Sequence, residues 1–244
     1  MARFTIKSLS TDQKNLRKRI LEISFERGFS HIGSCLSAVD IIDSIYKLKR
    51  KQDKFILSNG HAGVALYAVL EKHKKIRNFK ITNSLHVHPD RNASLGIDVS
   101  TGSLGQGLPI ALGMALADRK KNIYCIVSDG ECSEGSVWET VSIAVEKKVD
   151  NLTLFVNANG WGGYDPISLP SLINKFKGFG TWIITINGHD EKEIISTIKK
   201  KISGKFKVIF AKTYSDQFSF LKGQDAHYNI MTNDDYIKAL EQIL

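Results

Sequence analysis

The sequence is poor in cysteine. Cys35, Cys125 and Cys132 are the only three in 244 residues, and no two stand at a metal-ligand spacing. An odd, sparse set argues against a disulfide framework and against a zinc finger, and fits reduced thiols in a cytoplasmic protein. No apolar run is long enough to span a bilayer, so a membrane protein is not expected. The start, Met1-Ala2-Arg3-Phe4-Thr5-Ile6-Lys7, lacks the apolar core of a signal peptide. Internal repeats and low-complexity linkers are also missing, which argues for one large α/β domain or two small ones with room for a sizeable core.

Negative charge is outweighed. The formal net charge is +9, which raises nucleic acid as a partner. The lysines, however, are scattered over 47–54, 72–80 and 199–205, with no aromatic-interleaved basic motif. A solvated basic surface is the better reading, with some pull on phosphorylated substrates. No sequence-specific nucleic-acid binding is expected.

What is there centres on residues 128–161. The apolar run Ile123–Val127 leads into Ser128-Asp129-Gly130-Glu131. A second run, Leu152–Phe155, leads through Val156-Asn157-Ala158 into Asn159-Gly160-Trp161. Val137, Val141, Ala144 and Val145 between them share one helical face. This is a βαβ unit, and parallel strands open on one edge, where ligands bind. Asp129 and Asn159 therefore face each other across a crevice. Mg²⁺ takes one or two carboxylates plus substrate phosphates. Asp129 offers a carboxylate oxygen, Asn159 an amide oxygen and Trp161 its carbonyl. Gly130 lets a phosphate approach the backbone at a helix N-terminus. Two ordinary strand-end turns explain the same dipeptides, so the rest of the chain has to decide.

Helices are expected over 11–28, around Ala38–Ile45 with Ser37 and Asp40 as a variant capping box, over 62–73, 169–176, 191–202 and 234–244. Short strands are expected at 55–58, 182–186 and 206–211. The segment 72–81 shows no pattern, and 214–224 is a loop rich in Ser, Gln and aromatics. His31 precedes the second helix, and His61 follows the first strand in Ser58-Asn59-Gly60-His61. His86 and His88 flank Val87, but no third ligand for a metal lies nearby. Asp190, in Gly188-His189-Asp190, is an N-cap. The run Ser100-Thr101-Gly102-Ser103-Leu104-Gly105-Gln106-Gly107 opens a helix whose inner face is Leu104, Leu108, Ala111, Leu112, Ala115 and Leu116. Its glycine order, Gly-x-x-Gly-x-Gly, is not the dinucleotide fingerprint.

These motifs together resemble the transketolase family. Asp-Gly followed thirty positions on by Asn-Gly is similar to its thiamine diphosphate motif. Residues 100–107 are nearly identical to its Ser-Thr-Gly-(Pro/Ser)-Leu-Gly-Gln-Gly run. His31 with Gly33, Ser34, Leu36 and Ser37, then His61, His88-Pro89, Glu134-Gly135 with Trp138-Glu139, and His227 match further family positions. The resemblance implies a three-layer α/β fold, a mostly parallel central sheet flanked by helices, with residues 1–244 as one diphosphate-binding domain. It implies thiamine diphosphate with Mg²⁺ (or Ca²⁺ or Mn²⁺) as cofactors. His61, Gly102, Leu104, Asp129, Gly130, Glu131, Asn159 and Trp161 would bind the cofactor. Asp129, Asn159 and Trp161 would hold the metal. His31, His61, His88 and His227 would be catalytic on the substrate side, with pKa values near about 6.5 for proton transfer. Glu134 would lie at a dimer interface.

The family's pyrimidine-binding and C-terminal domains do not fit in this length. The resemblance therefore implies the N-terminal subunit of a split transketolase. Its partner would be a C-terminal subunit carrying the pyrimidine domain, in a dimer of heterodimers acting on sugars or sugar phosphates by ketol transfer. Ser128 stands where the family has glycine, and Asn157 where it often has aspartate. These departures leave two alternatives open: another thiamine-dependent carboligation on an unusual sugar, or a non-catalytic assembly subunit.

Overall fold

The computed structural model describes residues 5–163 and 165–243. Met1 to Phe4, Tyr164 and Leu244, which the expectations above include, lie outside the described residues. Nine helices and five strands are present among those described. The strands are β1 (Lys54–Leu57), β2 (Ile123–Ser128), β3 (Leu152–Ala158), β4 (Trp182–Asn187) and β5 (Lys207–Lys212). They form one sheet in the order β1-β2-β3-β5-β4, and every pairing is parallel. All five strand exits therefore open on one edge.

The helices are α1 (Thr11–Arg27), α2 (Ile32–Leu48), α3 (Gly63–Lys72), α4 (Phe79–Thr82) and α5 (Gly107–Ala117). The rest are α6 (Gly135–Glu146), α7 (Leu169–Gly178), α8 (Glu191–Lys199) and α9 (Asn233–Ile243). Side chains alternate across the sheet with a period of two, as strand geometry requires. Tyr124, Ile126, Phe155, Ile209 and Ala211 join one core with α1, α2, α3, α8 and α9. Cys125, Val127, Leu154, Val156 and Phe210 join the other with α5, α6 and α7. Each crossover helix takes the face that makes its connection right-handed: α6 carries β2 to β3 on one face, and α8 returns β4 to β5 on the other. The result is the expected three-layer α/β fold.

Local chemistry sets the element ends. Ser10 and Gln13 form a capping box on α1, and Gly28 ends that helix at φ 62°. Asp190 caps α8 by accepting the Lys192 and Glu193 amides. Helix α2 begins five residues before Ser37, so the expected capping box is not one. Ser37 Oγ donates to the Ser34 carbonyl, and Asp40 turns inward to Arg17. Leu116 is 38 % exposed on α5, not inner-facing. Helix α8 stops at Lys199, short of 202, and the patternless 72–81 segment leads into the single turn of α4. No helix among the described residues is long and apolar enough to cross a membrane.

Candidate functional site

The site is built on the exits of β1, β2 and β3. Ser128 pairs in register with Asn157, so Asp129 leaves β2 beside the residues that leave β3. Asp129 Oδ2 accepts the Gly160 amide at 2.7 Å, and Oδ1 accepts the Gly130 amide at 3.0 Å. Asn159 thus stands one residue from the Asp129 carboxylate, and its own Oδ1 accepts the Trp161 amide at 3.0 Å. A Cβ on Gly130 would meet Gly162 Cα at 2.9 Å and the Trp161 carbonyl oxygen at 3.6 Å. The acid, the amide and the carbonyl that sequence reasoning put forward are gathered on one small arc.

The donor chemistry of this arc fits a hard cation. Asp129 is 2 % exposed, and burial pushes its carboxyl up to about 7 against the pull of the Gly160 and Gly130 amides. Its oxygens are only partly satisfied, which is how a carboxylate waits for a counter-charge. Among the described residues no three His, Cys, Asp or Glu side chains are grouped to hold a metal. The arc offers one carboxylate and neutral oxygens, the donor set that needs a ligand's phosphates to complete an octahedron.

Glu131 lines the cavity above this arc as well, and its carboxylate is engaged by the protein. It accepts Ser58 Oγ at 2.5 Å, the Gly105 amide at 2.7 Å and the Ser128 amide at 3.3 Å. Burial raises its pKa to about 6, and these three donors restrain the rise. It ties the exits of β1 and β2 to the glycine-rich run. Gly105 can join this knot because its φ is 79° and because a Cβ there would strike Ser136 Oγ and Glu134 Cβ.

Ser128 does not crowd the site, since its Oγ accepts the Glu131 amide at 3.1 Å. Asn157 is explained by its two partners. Its Nδ2 donates to Ser37 Oγ at 2.8 Å, and its Oδ1 accepts Thr213 Oγ1 at 2.6 Å. A carboxylate could not make the first of these bonds.

Above the arc lies a cavity of about 390 Å³. Leu104, Gly130, Asn159, Trp161, His61 and His227 line it, together with Ser34 and Ser215. His31 and His88 stand behind the lining histidines. The four rings come from four distant segments and converge. Centroids are 4.5 Å apart for His31–His227, 5.0 Å for His61–His227, 5.5 Å for His31–His61 and 6.2 Å for His31–His88. Gly102, at φ 136°, packs on the His88 ring, where a Cβ would come within 2.8 Å of Cδ2. His31 holds a left-handed φ of 64°, and its amide donates to the His227 carbonyl.

The expected titration of these histidines is corrected. Burial, then the neighbouring rings, lowers His31 to about 4 and His61 to about 3, and burial lowers His227. At neutral pH these three rings are uncharged, each with one N–H and one bare nitrogen. They suit sugar hydroxyls better than they suit carrying a charge.

Sequence reasoning missed Ser215, 6 % exposed in the cavity wall with no hydrogen-bond partner for its Oγ. No motif announced it. His31 Nδ1, Thr101 Oγ1 and both polar atoms of Asn59 are likewise buried without a partner among the described residues. A buried orphan in a cavity wall, as Ser215 Oγ is, is what a bound polar ligand would satisfy.

Comparison with known proteins gives one answer. Residues 25–243 match the family model described as transketolase, thiamine diphosphate binding domain. The chain is 34 % identical to the 6-deoxy-6-sulfo-D-fructose transketolase subunit SqwG of Clostridium sp. strain MSTE9, over 92 % of this chain and 91 % of that one. It is 27 % identical to one of the subunits of the apulose-4-phosphate transketolase of Phocaeicola vulgatus, over 98 % and 94 %. The crystal structure of transketolase from Campylobacter jejuni superposes with a TM-score of 0.79 at 28 % identity, covering 95 % of this chain but 42 % of that one.

Proposed function

From the plain fact that this chain belongs to the transketolase family, matching its thiamine diphosphate-binding domain, we propose that it is the cofactor-holding half of a two-chain enzyme. The enzyme transfers a two-carbon ketol unit between sugars. The observation that carries this reading is the clustering of His31, His61, His88 and His227, of which His61 and His227 line the cavity, beside the arc of Asp129, Asn159 and Trp161.

Asp129, Asn159 and the Trp161 carbonyl would hold Mg²⁺, and Gly130 would admit the diphosphate. Leu104 and Gly102 would border the thiamine. When bound, thiamine diphosphate supplies a nucleophilic carbon and a place to hold the transferred fragment's electrons. The work of this chain is then positional. The knot at Glu131 fixes the loops around the diphosphate, and burial keeps water out. The neutral histidines give and take hydrogen bonds at the sugar hydroxyls, holding the reacting carbons in line.

No lysine or arginine is among the described residues that line the cavity. We take the anionic end of a sugar phosphate or sulfonate to be read by the partner. The chain spans nearly the whole length of the two relatives named as subunits and less than half of the C. jejuni enzyme. That difference supports a C-terminal partner chain, which joins this one in a dimer of heterodimers.

Calorimetry with thiamine diphosphate and Mg²⁺ in the presence of the partner tests the cofactor reading. Binding that vanishes in Asp129→Ala supports it, and a variant equal to wild type rules it out. Ketol transfer by the reconstituted pair, set against product formation from pyruvate alone, tests the reaction.

A further inference from the structure

The turn Gly188-His189-Asp190 at the exit of β4 stands outside the cavity, yet it reaches the cavity wall through one hydrogen bond. His189 has a side chain 3 % exposed. Its Nε2 lies 3.0 Å from the Tyr214 amide nitrogen. A backbone N–H can only donate, so Nε2 is an acceptor and carries no proton. The ring hydrogen is then on Nδ1, which donates to Asp40 Oδ2 at 2.7 Å. Arg17, fully buried, holds the same carboxylate with Nη1 at 3.0 Å from Oδ1 and Nη2 at 2.7 Å from Oδ2. Its Nη2 is also 3.3 Å from His189 Nδ1. That pair is two donors sharing one carboxylate oxygen, given the tautomer. Burial lowers the pKa of the ring, which agrees with a neutral imidazole.

The network continues to the loop after β5. Arg17 Nε donates to Gln217 Oε1 at 2.7 Å. Gln217 Nε2 donates to the Tyr214 carbonyl at 2.8 Å and to the Leu36 carbonyl at 3.0 Å. Both backbone polar groups of Tyr214 are therefore clamped, the amide by His189 and the carbonyl by Gln217. The next residue is Ser215, part of the cavity wall. It sits against the start of α2, where a Cβ on Gly33 would meet the Ser215 carbonyl at 3.0 Å.

We propose that His189 is a positioning residue for the cofactor cavity: it accepts the Tyr214 amide on Nε2, donates to Asp40 through Nδ1, and so sets the wall that Ser215 presents to the ligand. Four separate parts of the fold meet in this clamp: α1 through Arg17, α2 through Asp40, the β4 exit through His189, and the loop after β5 through Tyr214 and Gln217. The inference rests on the cofactor reading for what the wall faces, and on hydrogen bonds alone for the clamp.

Two variants separate positioning from mere packing. His189→Asn keeps a donor near the Nδ1 position and has no atom at Nε2. His189→Gln can carry an oxygen to the Nε2 position. In the full chain, nitrogen NMR of labelled histidine should show His189 with its proton on Nδ1. Hydrogen exchange at the Tyr214 amide should quicken in His189→Asn and recover in His189→Gln. With Mg²⁺ and the partner chain present, thiamine diphosphate should bind about tenfold more weakly to the asparagine variant, the scale for leaving a buried N–H unpaired. The glutamine variant should restore most of that affinity. A proton on Nε2, or two variants that match each other or wild type in Tyr214 exchange, overturns the proposal. If His189→Asn fails to fold, the wild-type tautomer and the glutamine variant decide. If wild type binds no thiamine diphosphate, the cofactor reading falls, and exchange at Tyr214 still tests the clamp.

Discussion

The diphosphate arc and the histidine cluster share one cavity but are held in opposite ways. The arc is built on backbone amides gathered from adjoining loops. Asp129 is fixed by the amides of Gly130 and Gly160, and Glu131 by those of Gly105 and Ser128. The cluster is long-range and built on side chains. Its four rings come from residues 31, 61, 88 and 227 and are placed mainly by packing. The arc keeps buried carboxyls that hold protons unusually well, and the cluster keeps rings that refuse them. On the proposed function, the first end would take the charged part of a ligand and the second its neutral hydroxyls.

The largest test of this contrast is Asp129→Ala. Mg²⁺-dependent thiamine diphosphate binding should weaken at least about 100-fold, since losing a metal ligand exceeds the 10–100-fold cost of losing an outer-shell partner. The same variant should make the unliganded chain more stable above neutral pH. The sign follows from linkage. A carboxyl raised from 3.8 to about 7 favours the fold when protonated, and that contribution is lost as pH climbs through about 7. Thermal unfolding at acid and alkaline pH checks it.

Next in size is the pH dependence of metal loading. Below about 7 the cation must displace the Asp129 proton, so Mg²⁺ affinity should fall by about tenfold per pH unit, measured by calorimetry. A flat profile would place the metal elsewhere.

Gly105→Ala probes the backbone character of the arc. With φ at 79° and a Cβ pressed on Ser136 and Glu134, it should cost about 1–3 kcal/mol in denaturant unfolding. An alanine at the open position Gly113, which has nothing within 4 Å, should cost nothing comparable.

The remaining test belongs to the histidine end. As pH falls below 6.5 the unfolded chain takes up protons that folded His31 and His61 refuse until about 4 and about 3. Stability present above 6.5 is therefore lost through that acid window, with a slope approaching about two protons down to about pH 4 and about one below it. His61→Asn should flatten the slope while leaving the response near pH 7 to Asp129. If one variant altered both windows, the two ends would not be separate devices.

Much of this was legible beforehand because it is written in contiguous residues. The apolar run Ile123–Val127 and the helical spacing of Val137, Val141 and Ala144 pointed to the βαβ unit. That unit in turn placed Asp129 and Asn159 on one edge. The capping role of Asp190 and the glycine run over 102–107 are equally local. Failures came where a residue's partner is remote. Ser37 and Asp40 matched a cap pattern, yet Asn157 and Arg17, distant in sequence, claim them. The carboxylate of Glu131 is bonded by Ser58 and Gly105, which no pattern near it in the sequence announced.

The amino-acid order determined the strands, the turns and the chemical types available at their exits, since periodicity and backbone dihedral preferences act over a few residues. Only the folded chain decided that four histidines cluster and that burial lowers the pKa of His31, His61 and His227, and that a serine after β5 enters the cavity wall under the hold of His189. Proximity and desolvation depend on which segments the sheet brings together, and no local pattern encodes them.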